Sequence, residues 1–198
     1  NNLINAKAVF GIYEANSIKD DIEVYDKKKN ETFKFITLRQ QKEKDEKFYN
    51  NALSDYIAPK ETGIKDYIGC FCVTAGFGSD ELSRKYEEDN DDYSSIMIKA
   101  ICDRFAEAFA EYLHKEVRIN YWGYAKDEKT TNDDLIKERY DGIRPAPGYP
   151  ACPDHLEKKT IWKLLSVEKR IGVKLTESLA MWPAASVSGY YFGNSNAK

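Results

Sequence analysis

The stretch 67–75, Tyr-Ile-Gly-Cys-Phe-Cys-Val-Thr-Ala, contains no charged residue. Side chains alternate across a strand, so one that is apolar at nearly every position must be covered on both faces. A chain organised around such a strand needs enough apolar material to bury it. Of the 198 residues here, 42% are hydrophobic and 13% aromatic, which is sufficient for a sizeable core and argues against disorder. The length suits one domain or two compact lobes.

Other strands are expected on either side in sequence. Residues 7–13 read as one and residues 21–25 as another. The segment 26–31 is a turn signal, and residues 32–37 alternate Phe33, Phe35 and Thr37 against Thr32, Lys34 and Ile36. Two strands joined by so short a turn favour an antiparallel hairpin. Residues 42–47 are a charge run, expected as a solvated face or loop.

Helices are expected to dominate the second half. Acidic residues 87–92 precede a helical pattern over 93–117, placing negative charge at the positive end of the dipole. A short helix is expected over 131–140, ended by Asp141-Gly142. Asp154 and Glu157 have the spacing of a capping box for a further helix running to Gly172. Residues 186–192 are apolar and aromatic enough for a last strand. Strands first and long helices later predict an α+β fold, a twisted antiparallel sheet flanked by helices, rather than a βαβ series.

Charge and cysteine usage exclude several functions. The 30 basic and 33 acidic side chains leave a net charge of −3, without the excess of Lys and Arg that a nucleic-acid surface needs. No apolar run approaches the roughly 20 residues of a membrane helix, and no signal-peptide core opens the chain. A cytoplasmic location without membrane or nucleic-acid partners is therefore expected. Cys70 and Cys72 sit two apart, not in a C-x-x-C pair, and His114 and His155 form no cluster with them. No metal site is expected, and the thiols read as small packed hydrophobes.

Two features are candidates for chemistry. The first is the loop 144–153, Arg-Pro-Ala-Pro-Gly-Tyr-Pro-Ala-Cys-Pro. Its four prolines fix φ and set the loop shape beforehand, and Gly148 permits close approach. Arg144 is a permanent fork-shaped cation suited to a carboxylate, while Tyr149 adds a flat face and a hydroxyl. Such a loop suits a small carboxylate-bearing ligand, or equally a structural connector with a surface arginine. The second feature is the series Asp103, Glu107 and Glu111, three carboxylates on one helical face. It reads either as a solvated acidic stripe or as a functional surface.

The stretch Gly-Ile-Arg-Pro-Ala-Pro-Gly-Tyr-Pro-Ala-Cys-Pro over 142–153 resembles the signature loop of the activation domain of cobalamin-dependent methionine synthases. So does Thr-Glu-Ser-Leu-Ala-Met-Trp-Pro-Ala-Ala-Ser-Val-Ser-Gly-Tyr-Tyr-Phe over 176–192. Segments 66–74, 103–114 and 121–125 add to the likeness, which spans roughly Ala8 to the end.

The resemblance implies a chain that binds S-adenosylmethionine and presents it to a cobalamin held by another module of the same enzyme. Reductive methylation of cob(II)alamin there restores activity, with flavodoxin or a flavoprotein reductase as electron donor. The family's R-x-x-x-G-Y motif is met by Arg144, Gly148 and Tyr149. The arginine would pair with the methionine carboxylate, and the backbone around Pro145 and Ala146 would help read the ligand. Glu107 corresponds to a helix acid near the ligand, and Asp103 to one that faces the cobalamin module. No catalytic nucleophile or base is implied. The resemblance also implies that the family's domain starts before Asn1 and continues past Lys198, with ligand contacts in both parts.

Two other readings remain in view. An independent S-adenosylmethionine-dependent methyltransferase of the doubly wound class would need a glycine loop between strand and helix, for which Thr-Ala-Gly-Phe-Gly over 74–78 is the candidate. A non-catalytic α+β interaction module would leave Arg144, Tyr149 and Glu107 scattered rather than gathered around one pocket.

Overall fold

The computed structural model describes residues 3–43 and 49–197; the charge run 42–47 falls mostly outside them. Five strands form the main sheet: β1 (Asn5–Ile18), β2 (Asp21–Asp26), β3 (Glu31–Ile36), β4 (Asp66–Phe77) and β7 (Ser186–Tyr191), in the order β3-β2-β1-β4-β7. Every neighbouring pair is antiparallel. The 26–31 turn forms because Asp26 Oδ1 accepts the N–H groups of Lys28 (2.9 Å) and Lys29 (3.3 Å), while Asn30 takes a left-handed φ of 52°.

The fold is α+β, as expected. Thr74–Gly78 does run from β4 into helix α1 (Ser79–Glu88). With no parallel pair among the five strands, however, it opens no doubly wound crevice, and the independent-methyltransferase reading is set aside.

Strand β4 is the centre of the molecule. Ile68, Cys70 and Cys72 pack to one side with Ile161, Leu164, Leu165, Val167 and Ile171. Phe71 and Val73 pack to the other with Ala110, Leu113 and Val117. Ile68 and the four residues Cys70 to Val73 have no exposed surface at all. At about 1.5–3 kcal/mol for each large apolar side chain removed from water, this double cover is the main source of cohesion. All four cysteines are free and buried, and burial raises the thiol pKa of Cys72 to about 12. Among the described residues, no group of three or more His, Cys, Asp or Glu could hold a metal ion.

The first covering layer is helix α2 (Asp92–Glu116), whose capping Asp91 accepts the Ser94 N–H at 3.0 Å. The second is α4 (Glu157–Leu165) with α5 (Val167–Ile171). The single helix expected to run to Gly172 is two, because Ser166 adopts a left-handed φ of 52° and breaks it. Helix α1 lies where the sequence pattern indicates no helix. The helix expected over 131–140 shortens to α3 (Asn132–Ile136), since Glu138 is left-handed. A small ribbon of β5 (Lys174–Leu175) and β6 (Met181–Trp182) precedes β7. No helix among the described residues is long and apolar enough to cross a membrane.

The capping box expected at Asp154 and Glu157 does not form. Asp154 Oδ1 instead accepts the Leu156 N–H (2.8 Å), and α4 begins only at Glu157. The reason is that Glu157 is buried, with its Oε2 unpartnered. Burial, assisted by Asp154 and Asp21 and opposed by the Ile36 backbone, raises its pKa from 4.5 to about 7. A carboxyl raised in this way stabilises the fold most below its unfolded pKa, and that contribution is lost as pH rises through the folded one. Glu157→Gln is therefore expected to gain about 2–3 kcal/mol over wild type at pH 8 and to match it near pH 4, measured by thermal unfolding across pH. Equal gains at both pH values would rule this account out.

Candidate functional site

The Arg144 loop is an added edge to the sheet. Ile143 and Phe192 exchange two backbone hydrogen bonds at 3.1 Å, and the Tyr190 N–H donates to Pro145 O at 2.9 Å. Gly189 allows this approach, because a Cβ there would stand 2.4 Å from Pro145 O. Beyond Pro145 the chain turns: Tyr149 N donates to Ala146 O (3.3 Å), Gly148 N to Cys152 O (2.8 Å) and Cys152 N to Tyr149 O (2.9 Å). Gly148 has φ +100°, and a Cβ would meet the His155 ring at 2.3 Å. The loop is thus fixed by the sheet at one end and by its own turn at the other.

Beside it lies an open groove of about 740 Å³, walled by residues from Lys137 to Pro145 and by Ala151. Its floor meets a layer of buried polar groups. Helix α2 leaves its regular path through a wider turn at Val117–Tyr121, a feature common near functional sites. That turn directs Arg118 inward, where the side chain is wholly buried. Glu128 grips it with two hydrogen bonds, to Nε at 2.6 Å and Nη2 at 2.8 Å, and the Tyr140 ring lies 3.7 Å from the guanidinium. Burial works to raise the Glu128 carboxyl pKa, but hydrogen bonds from Arg118 and Thr130 outweigh it and hold the group below the ordinary carboxylate value.

Glu111 joins this layer to the loop. Its Oε2 accepts the Tyr140 hydroxyl (3.1 Å) and Arg144 Nη2 (3.4 Å), and its Oε1 lies 3.9 Å from Arg118 Nη1. Arg144 is mostly buried and sits over the Phe71 ring at 5.9 Å. His114, stacked on Tyr191 at 4.9 Å, is pushed down to about 2 by burial and by the two arginines, and so stays neutral. Several buried polar atoms here have no hydrogen-bond partner among the described residues: Arg144 Nε, Glu111 Oε1, Arg118 Nη1, His114 Nδ1 and the Tyr191 hydroxyl.

The residues singled out in the sequence are therefore distributed. Arg144 and Pro145 line the groove. Ala146, Gly148 and Tyr149 form the adjoining turn, with Tyr149 64% exposed and outside the groove lining. Glu107 and Asp103 are exposed on α2 and do not line the groove either, so the expected gathering of Arg144, Tyr149 and Glu107 around one concavity is not seen. The acid that reaches Arg144 is Glu111, one turn further along the same stripe. The sequence does not single out Arg118, Glu128 or Tyr140: Arg118 follows Lys115 and Glu116, and nothing local marks which of these charges is buried.

This fold and site define an α+β module in which a sheet-edge loop holds a cation at the rim of an open groove. The model of the vitamin B12-dependent methionine synthase activation domain matches residues 1–198, and the chain belongs to that family. A crystal structure of the MetH reactivation domain bound to AdoHcy superposes with a TM-score of 0.94 at 54% sequence identity. The match covers 99% of this chain and 61% of that one, so the chain spans about three fifths of that relative's length. Family membership, rather than convergence of the three residues, sets aside the interaction-module reading.

Among the described residues Glu128 is the one acid within hydrogen-bonding distance of the wholly buried guanidinium, so removing it leaves Arg118 only the more distant Glu111. Glu128→Ala is expected to cost about 3–5 kcal/mol in chemical denaturation. Lys137→Ala, which breaks the exposed pair with Asp133, should cost no more than about 0.5 kcal/mol. Similar losses from both would contradict the burial argument.

Proposed function

We propose that this chain binds S-adenosylmethionine in the groove beside the Arg144 loop and presents it to a cobalamin held by another module of a methionine synthase. The observation behind this reading is the Arg144 guanidinium, mostly buried at the groove rim with its Nε unpartnered. It belongs to a chain 54% identical to a domain solved with AdoHcy. The donor set fits such a ligand: a fork-shaped cation with free N–H groups for a carboxylate, and a pre-shaped backbone at Pro145, Ala146 and Gly148 for its polar edges. In this reading Tyr149, on the adjoining turn, and Glu107, exposed on α2, add further ligand contacts.

When bound, S-adenosylmethionine supplies an electrophilic methyl group with a neutral thioether as leaving group. The chain's own contribution is binding and orientation. Arg144 anchors the carboxylate end, and the loop, fixed to β7, holds the other end in register. No side chain has to accept a proton, in keeping with the neutral His114 and the raised pKa of Tyr140. Asp103, exposed on α2, faces the cobalamin module in this reading, and flavodoxin or a flavoprotein reductase delivers the electron. A cytoplasmic setting follows from those partners.

Arg144→Ala is expected to weaken S-adenosylmethionine binding by about 2–5 kcal/mol, read by calorimetric titration of the whole protein that carries this chain. Unchanged affinity would remove the assigned role. Asp103→Asn should leave that affinity within about twofold while slowing reductive reactivation, because a rim charge acts on docking. Equal effects on both measurements would argue against a surface role.

A further inference from the structure

Arg144 can anchor a carboxylate only if something holds its guanidinium in place beforehand. The backbone of the loop is fixed, but an arginine side chain has several rotatable bonds and a correspondingly large entropy to lose. The head group hydrogen-bonds to Glu111 Oε2 at 3.4 Å and lies over the Phe71 ring, 5.9 Å from its centroid.

Glu111 has a further restraint of its own. The Tyr140 hydroxyl donates to the same Oε2 at 3.1 Å, so the oxygen facing Arg144 is itself held. Tyr140 in turn lies against the Arg118 guanidinium at 3.7 Å, and Arg118 is gripped by Glu128. Arg118 donates both of its close hydrogen bonds to Glu128, while Glu111 stands 3.9 Å away. Charge matching therefore assigns Glu128 to Arg118 and leaves Glu111 for Arg144. One carboxylate oxygen on one nitrogen uses a single donor of the five on the fork. Arg144 Nε remains buried without a partner, available to a second acceptor.

We propose that Glu111 is a positioning residue, which with Tyr140 holds the Arg144 fork in the pose that receives a ligand carboxylate. The inference rests on the ligand reading above. It differs from a purely structural role in one respect: the effect of Glu111 is confined to ligands that bear a carboxylate.

The test compares S-adenosylhomocysteine with 5′-methylthioadenosine, which keeps the nucleoside and thioether but lacks the amino-acid arm. Calorimetric titration is made on the whole protein that carries this chain. Glu111→Ala is expected to weaken S-adenosylhomocysteine about tenfold, the loss of one ordering contact, and to leave 5′-methylthioadenosine within about twofold of wild type. Glu111→Gln keeps an oxygen acceptor for Tyr140 and Arg144, and should restore S-adenosylhomocysteine affinity to within about threefold of wild type. Tyr140→Phe removes only the hydroxyl, so it tests the same restraint should Glu111→Ala fail to fold; it should weaken S-adenosylhomocysteine alone, by about threefold.

Equal weakening of both ligands in Glu111→Ala, or no weakening of either in Glu111→Ala and Tyr140→Phe, would overturn the proposal while leaving the ligand reading intact. A wild-type protein that binds S-adenosylhomocysteine and loses it with Arg144→Ala keeps that reading; one that binds neither ligand would overturn the reading and this inference together.

Discussion

Complete burial of the Arg118 guanidinium would cost several kcal/mol if the charge were left without a partner, and much of the site can be understood as the answer to that cost. Glu128 supplies the counter-charge with two hydrogen bonds at 2.6 and 2.8 Å. The Tyr140 ring covers one face of the cation at 3.7 Å, and His114 packs edge-on against the same ring at 5.1 Å. Thr130 and Glu128 lie in the stretch between the long helix and α3, so the pair also ties that irregular segment to the end of α2. Tyr140, held from beneath, can then offer its hydroxyl to Glu111.

The loop depends on the sheet in a comparable way. A chain segment with four prolines has few N–H groups to give to a ladder, so it cannot be an ordinary strand. It joins β7 through the Ile143–Phe192 exchange and the one bond into Pro145 O, and then turns away on its own hydrogen bonds. Glycines stand where the backbones come closest: Gly189 opposite Pro145, and Gly142, whose Cβ would lie 2.4 Å from Phe192 O. Arg144 therefore projects from a backbone that is pinned on both sides of it, directly above Phe71 of the doubly covered strand β4.

Much of this was legible in the residues. The apolar run ending at Ala75 indicated a strand covered twice, and β4 is that strand; the turn chemistry of Asp26 to Asn30 indicated the β2–β3 hairpin. What escaped was decided by tertiary contact. Ser166 gives no local sign that it will break a helix, and Glu157 looks like a capping acid until Ile36 and the sheet bury it. Helix α1 was hidden because Leu82 and Tyr86 are its only large apolar side chains, too few to display a helical period. In the site, Arg144 and its loop stood out by composition, and the stripe Asp103, Glu107, Glu111 by spacing. Which of the three acids reaches the arginine depends on how α2 lies against β4 and β7, a relation that local periodicity does not contain.

That orientation divides the long helix by exposure. Glu111 faces the loop and the buried charges, while Asp103 and Glu107 stand in solvent beside exposed Ile101, Phe105 and Tyr112. A stripe that looked uniform thus has an inner end and an outer end. In the proposed role the two ends have different tasks. The inner end holds a cation still, in a place where low exposure strengthens each charge contact. The outer end, at Asp103, remains wet, where a docking surface can make and break contacts at little cost. A methyl donor that must be held firmly by its amino-acid arm yet offered to a separate module requires both on one scaffold, and a single helix packed across a fixed strand supplies them about two turns apart.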